Sequence, residues 1–79
     1  MTVLFIGAGK KMGIRPADLV GAIAGEAGVP SSVIGAIKIA ENFSLVEVPQ
    51  PMATAITAAL RQTTLRGQRV TVRRDRDSG

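Results

Sequence analysis

The stretch IGAIKIAENFSLVEV, residues 34–48, carries two short apolar runs broken by Glu41-Asn42. Over residues 34–40, Ile37 and Ile39 fall on one side and Ala36 and Lys38 on the other, the period of a half-buried strand. Residues 43–48 (FSLVEV) make a second strand, and Glu41-Asn42 is too short to do more than turn the chain, so 34–48 reads as a β-hairpin. A hairpin in the middle of a small chain needs other elements to cover its apolar side. The flanking sequence supplies them symmetrically.

Upstream, residues 2–7 (TVLFIG) form a β-branched and aromatic run closed by glycine, the signature of a central strand. A loop rich in Gly and Lys follows (GAGKKMG, residues 7–13). Pro16 opens a helix over about 16–27, where its missing N–H costs nothing, and Asp18 complements the positive end of the helix dipole. Leu19, Val20, Ile23, Ala24 and Ala27 make its apolar stripe, and Gly28-Val29-Pro30 stops it. Gly21 and Gly25 lie inside this helix, either tolerated at about 1 kcal/mol each or marking a close backbone approach. Downstream, Pro49 and Pro51 open a second helix with Met52, Ile56, Ala59, Leu60 and Thr63 on one face. Gly67 ends that segment. Residues 69–73 (RVTVR) then alternate as a last strand, with Val70 and Val72 inward and Arg69, Thr71 and Arg73 outward.

The order β-α-β-β-α-β is that of an α+β, ferredoxin-like fold. Two right-handed crossovers give a four-stranded antiparallel sheet in the order 4-1-3-2, with both helices on one face and the other face open. Residues 1–74 form the domain and residues 75–79 a flexible charged tail. Lys38, Arg69 and Arg73 are expected on the open face, because only one side of their strands is apolar. Burying Glu47 would be costly, which puts Phe43, Leu45 and Glu47 there too. The first strand offers either Leu4, Ile6 and Ala8 or Val3, Phe5 and Gly7 to the interior. Leu4 and Ile6 fit a helix-covered interior better, which leaves Phe5 on the open side. Phe5 and Phe43 are then either ordinary core residues or a pair of exposed rings among cations. Exposed rings beside cations suit single-stranded nucleic acid, where bases stack and cations hold the backbone.

Composition narrows the chemistry. The 79 residues include ten Lys and Arg against six Asp and Glu, a net charge of +4, with no His, Cys, Trp or Tyr. Catalysis by a Ser-His-Asp or Cys-His arrangement, a thiolate metal site and a disulfide framework are excluded. No apolar run approaches the ~18 residues of a membrane span, and no secretory signal is visible. A cytoplasmic, non-enzymatic domain without cofactor or metal is expected. The cations cluster: Lys10, Lys11 and Arg15 in residues 8–15, and Arg61, Arg66, Arg69, Arg73 and Arg74 in residues 61–74, with no acid in either stretch. Such patches attract polyanions by counterion release, or simply keep a small domain soluble. The GAGKKMG loop fits neither a Walker A loop, since Leu4 and Lys11 stand where Gly and Ser or Thr are required, nor the dinucleotide fingerprint, since Met12 replaces its last Gly. An RNA phosphate could still meet Lys10, Lys11 and Arg15 near the helix N-terminus.

With these residues in place, two stretches resemble the ribonucleoprotein motifs of RNA recognition motifs. Leu4-Phe5-Ile6-Gly7-Ala8 is similar to the motif of the first strand, with Phe5 at the stacking position. Residues 41–48 resemble a degenerate form of the third-strand motif, with Phe43 at an aromatic position, Leu45 in place of a second aromatic and Glu41-Asn42 in place of a basic-Gly pair. Over residues 3–74 the chain more closely resembles the DbpA-like RNA-binding domain, the C-terminal accessory domain of some bacterial DEAD-box RNA helicases. Gly9-Lys10-Lys11-Met12-Gly13, Leu19-Val20-Gly21-Ala22-Ile23, Ile34-Gly35-x-Ile37 and Ser44-x-Val46-Glu47-Val48 carry that likeness. The resemblance implies an RNA recognition motif fold, binding of structured RNA (ribosomal RNA in the best-known members) and a role in ribosome assembly. It also implies a larger ATP-dependent helicase parent whose ATP-hydrolysing core would be a partner of this domain. Members of the family also use loops and basic surface in place of stacking aromatics. The residues expected to contact RNA are Phe5, Lys10, Lys11, Lys38, Phe43, Arg66, Arg69, Arg73 and Arg74. The alternative is a ferredoxin-like protein-interaction, dimerisation or ligand-regulatory domain that uses Val3, Phe5 and Leu45 as its interface.

Overall fold

The computed structural model describes residues 1–74; the tail expected over residues 75–79 lies outside them. Strands β1 (Thr2–Ile6), β2 (Ile37–Ile39), β3 (Ser44–Val48) and β6 (Val72–Arg74) form one antiparallel sheet in the order β2-β3-β1-β6. This is the arrangement expected of the α+β, ferredoxin-like order. Helices α1 (Pro16–Ala27) and α2 (Gln50–Arg61) pack on it. A separate two-stranded hairpin, β4 (Thr64–Leu65) with β5 (Gln68–Arg69), follows α2.

The core lies between sheet and helices. From the sheet it takes Leu4, Ile6, Val46, Val48 and Val72, and from the helices Leu19, Ile23, Ile56 and Leu60, all buried. Each such side chain contributes about 1.5–3 kcal/mol relative to remaining in water. Strand β1 thus buries Leu4 and Ile6 and turns Val3 and Phe5 outward, which resolves the ambiguity of its alternation. Buried Ser44 donates its hydroxyl to the Ala8 carbonyl at 2.6 Å, so this core hydroxyl is satisfied.

Helix α1 has the punctuation its sequence announces. The Arg15 N–H donates to Asp18 Oδ2 at 2.9 Å, tying Asp18 to the first turn. Gly28 closes the helix in the left-handed region (φ 68°), with its N–H on the Ala24 carbonyl at 3.1 Å. Gly21 and Gly25 are exposed, and a Cβ at either would meet nothing within 4 Å, so no backbone approaches them. Gly21→Ala and Gly25→Ala should therefore each stabilise the domain by about 0.5–1 kcal/mol, through reduced entropy of the unfolded chain. Thermal melts should show a rise of several degrees for each; a fall would mean that this side of α1 is crowded.

Three expectations need correction. The last strand does not run over residues 69–73. Arg66 and Gly67, with φ of 53° and 79°, form a two-residue turn that pairs 64–65 with 68–69 locally. Both turn residues in the left-handed region are the mark of the tight hairpin loop whose twist matches its strands. The chain joins the main sheet from Thr71, whose carbonyl accepts the Gly7 N–H at 2.7 Å, through Val72–Arg74, so Arg69 is on the small hairpin and not in the main sheet. Arg74, the last residue of the domain as read from sequence, is the end of β6. Second, residues 31–33 form a single 3-10 turn and regular β2 begins only at Ile37; Gly35 and Ala36 bond irregularly to β3, the Gly35 N–H donating to the Glu47 carbonyl at 2.8 Å and the Glu47 N–H to the Ala36 carbonyl at 3.0 Å. Third, the buried side of α2 is Ala53, Ile56, Thr57 and Leu60; Met52 and Ala59 are half-buried, and Thr63 lies beyond the helix end. The buried side is thus rotated from the stripe that the larger apolar residues suggested, with Ala53 and Thr57 turned inward beside Ile56 and Leu60.

Candidate nucleic-acid interface

Strand alternation and register put four side chains in one row across the open face. Lys38 lies opposite Leu45, Leu45 opposite Phe5, and Phe5 opposite Arg73. Phe43, one residue before β3, adds a second ring. The Phe5 and Phe43 rings stack with centroids 5.4 Å apart and planes inclined by 16°. The Arg73 guanidinium carbon lies 4.6 Å from the centre of the Phe5 ring. Such a cation–ring contact is worth about 0.5–1 kcal/mol at an exposed site, and the ring pair a similar amount beyond its buried area. Phe43 remains 37% exposed, an unusual fraction for a ring in a chain with only two.

The GKKMG loop is bound to the same end of the sheet. Lys10–Met12 is one 3-10 turn. The Lys10 N–H donates to the Ala40 carbonyl at 2.8 Å and the Lys11 N–H to the Glu41 carbonyl at 3.0 Å. The loop is thereby docked on the β2–β3 turn that carries Phe43. Gly9 makes the docking possible, because its Cα lies almost against the backbone of residues 40–43. The hairpin tip returns to this loop from the far end of the sequence. A Cβ on Gly13 would lie 3.5 Å from both Arg66 Nε and Nη2, so the Arg66 guanidinium covers Gly13. Lys10 and Lys11 are exposed on this loop, and Arg66 is exposed where it covers Gly13. Among the described residues the only ion pair is Arg15–Asp18, at 3.8 Å, so none of these cations is neutralised by a carboxylate within the described chain.

Residues 3–74 match the DbpA RNA binding domain family. The chain belongs to this family. The domain is accordingly an RNA-binding module. It is 38% identical over 73 residues to the ATP-dependent RNA helicase DeaD of Mycobacterium tuberculosis, covering 92% of this chain and 13% of that protein. It is 36% identical over 69 residues to the ATP-dependent RNA helicase DbpA of Bacillus subtilis, covering 87% of this chain and 14% of that protein. An uncharacterized protein of Treponema pallidum is 33% identical over 75 residues, 95% of this chain and 33% of the relative. The chain thus spans about an eighth of the length of the helicases it resembles.

In this DbpA-type RNA-binding domain the nine sequence-expected contacts do not all converge. Phe5, Lys38, Phe43 and Arg73 share the open face, and Lys10, Lys11 and Arg66 flank it. Arg69 is exposed on the small hairpin. Arg74 turns toward α2, where its Nη2 donates to Thr54 Oγ1 at 2.6 Å. Arg61, outside the expected set, donates its Nε to the Val72 carbonyl at 3.0 Å and ties α2 to β6. Sequence reading missed that Arg73 is the partner of Phe5. The signal was present in the alternation of residues 71–73 but needed the register of β6 against β1.

Proposed function

We propose that this domain is the accessory module that holds structured RNA, ribosomal RNA in particular, for the motor of a DEAD-box ATP-dependent RNA helicase, at the C-terminal end of the parent chain. The stacked Phe5 and Phe43 pair with Arg73 over it, on a sheet face that no helix covers, is the observation that carries the reading. A base stacks on the exposed Phe43 ring, and Arg73, Lys10, Lys11 and Arg66 meet phosphates on either side of it. Tethering such a module to a motor raises the concentration of RNA at the motor without requiring tight binding by the module itself. The relatives named as ATP-dependent RNA helicases support the parent assignment. A cytoplasmic role in ribosome assembly goes with that target.

A titration with fragments of ribosomal RNA, repeated at several salt concentrations, tests the reading. Three to five phosphate contacts predict a slope of about −2 to −4 for log affinity against log salt. Affinity no greater than that of a generic basic peptide at about 100 mM salt would remove the proposal. Binding of unstructured RNA alone would remove its structured target.

A further inference from the structure

Beside the ring pair, the open face holds a second feature that stacking does not use. A shallow cavity of about 180 Å³ is lined by Val3, Ala36, Lys38, Leu45 and Glu47. Three of these side chains are apolar, and the other two carry opposite charges. By register, Val3 faces Glu47 and Lys38 faces Leu45, so the acid and the base stand diagonally across neighbouring strands. They do not pair with each other. Glu47 Oε1 instead accepts the Ala36 N–H at 3.3 Å, which anchors the carboxylate at one end. Among the described residues no other donor reaches it.

A bare carboxylate on a surface that meets a polyanion weakens binding by like-charge repulsion unless it accepts hydrogen bonds from the ligand. RNA has no donors on its phosphates; its carboxylate-compatible donors are on the bases and the 2′-hydroxyl. Guanine alone among the four bases presents two adjacent donors, N1–H and the N2 amino group, next to an acceptor, O6. That sequence of groups matches a carboxylate followed by an ammonium. Uracil would set a carbonyl oxygen against Glu47, and adenine and cytosine each offer one amino group beside an unprotonated ring nitrogen. Leu45 is at once a wall of this cavity and the cross-strand neighbour of Phe5. The cavity is therefore one strand spacing, about 4.8 Å, from the stacking rings, within reach of the adjoining nucleotide.

We infer that this cavity reads a guanine of the bound RNA, with Glu47 accepting from N1–H and N2–H and Lys38 donating to O6. The inference rests on the RNA-binding reading above and adds base identity to it. Glu47 then acts as a specificity residue, and Val3 and Leu45 supply the apolar surface against which the base lies.

The test uses short single-stranded RNAs that differ at one position, carrying guanosine, inosine or uridine. Wild-type protein should bind the guanosine RNA about tenfold more tightly than the uridine RNA, the discrimination expected of one bidentate base contact. Inosine, which lacks only the N2 amino group, should fall between them. In Glu47→Gln, whose amide oxygen can still accept the Ala36 N–H, the guanosine-to-uridine ratio should fall to near one. Wild-type binding with no preference among the three RNAs would overturn the base assignment and leave RNA binding standing. An unchanged preference in Glu47→Gln would overturn the role of Glu47. The inosine comparison needs no variant and so survives any effect of the substitution on folding. Failure of the wild type to bind any of these RNAs while it binds a structured ribosomal RNA fragment would overturn the guanine assignment alone; failure to bind either would overturn both readings. Guanosine monophosphate, titrated as competitor, separates a guanine in a chain from a free nucleotide. Competition at concentrations comparable to the RNA would overturn the assignment to RNA.

Discussion

Gly9→Ala should cost the domain about 3 kcal/mol or more, a large share of the 5–15 kcal/mol that holds a typical domain folded. The backbone of Gly9 is extended (φ −146°), a conformation open to any residue, so the effect is not one of glycine's conformational freedom. It is steric. A Cβ at this position would overlap the Ala40 carbonyl oxygen and sit 2.7 Å from Phe43 N and 2.8 Å from Glu41 C. All three are backbone atoms of a short turn and cannot rotate away. The loop would have to lift, giving up the bonds from the Lys10 and Lys11 N–H groups, at about 1 kcal/mol each. Urea unfolding should show the midpoint falling sharply with an unchanged slope. A midpoint equal to that of wild type would mean that the loop does not dock on the β2–β3 turn. The same lift would carry Lys10 and Lys11 away from Phe43, so stability and RNA binding should decline together in this variant.

Phe43→Ala should lower RNA affinity by about tenfold, within the 1–3 kcal/mol that one base-on-ring contact supplies. Its effect on folding should be far smaller than that of Gly9→Ala, because Phe43 is 37% exposed and stands outside the buried core. What the fold loses is mainly the stack on Phe5, about 0.5–1.5 kcal/mol. No charge is removed, so the salt dependence should keep its slope while affinity drops at every salt concentration. That combination distinguishes a lost stacking surface from a lost phosphate contact. Unchanged affinity would transfer the binding to the loop cluster of Lys10, Lys11 and Arg66.

Much of the fold was legible because its signals are local. The turn at Glu41-Asn42, the prolines at 16, 49 and 51 and the glycine at 28 mark element ends through backbone constraints that travel with the residue. Glu47 settled the orientation of β3, because the cost of burying an unpaired charge exceeds any gain from burying Phe43 in its place. The same reasoning failed over residues 62–71. There the alternation of Arg69–Arg73 suggests one continuous strand, and Gly67 reads as a simple break rather than half of a hairpin turn. The left-handed Arg66 was not visible, since a non-glycine residue with positive φ has no sequence mark of its own. In α2 the periodicity was correct in kind but displaced, because Ala and Thr carry too little hydrophobic contrast to show which side faces the sheet.

The amino-acid sequence by itself determined the order of the two helices and the four strands of the main sheet, the basic character of the chain, the lack of the histidine and cysteine that nucleophile–histidine catalysis needs, and the presence of just two rings, Phe5 and Phe43. These follow from residue types and their spacing along a few turns of chain. Only the tertiary structure decided that the two rings stack on each other, that Arg73 rather than Arg69 completes them, that Arg66 closes on the GKKMG loop and that Arg74 faces the helix side. It also opened the cavity between Lys38 and Glu47. Each of these depends on the register between strands far apart in sequence, where a shift of one residue would send every side chain to the opposite face. Local preference does not encode that register; packing of the common core selects it.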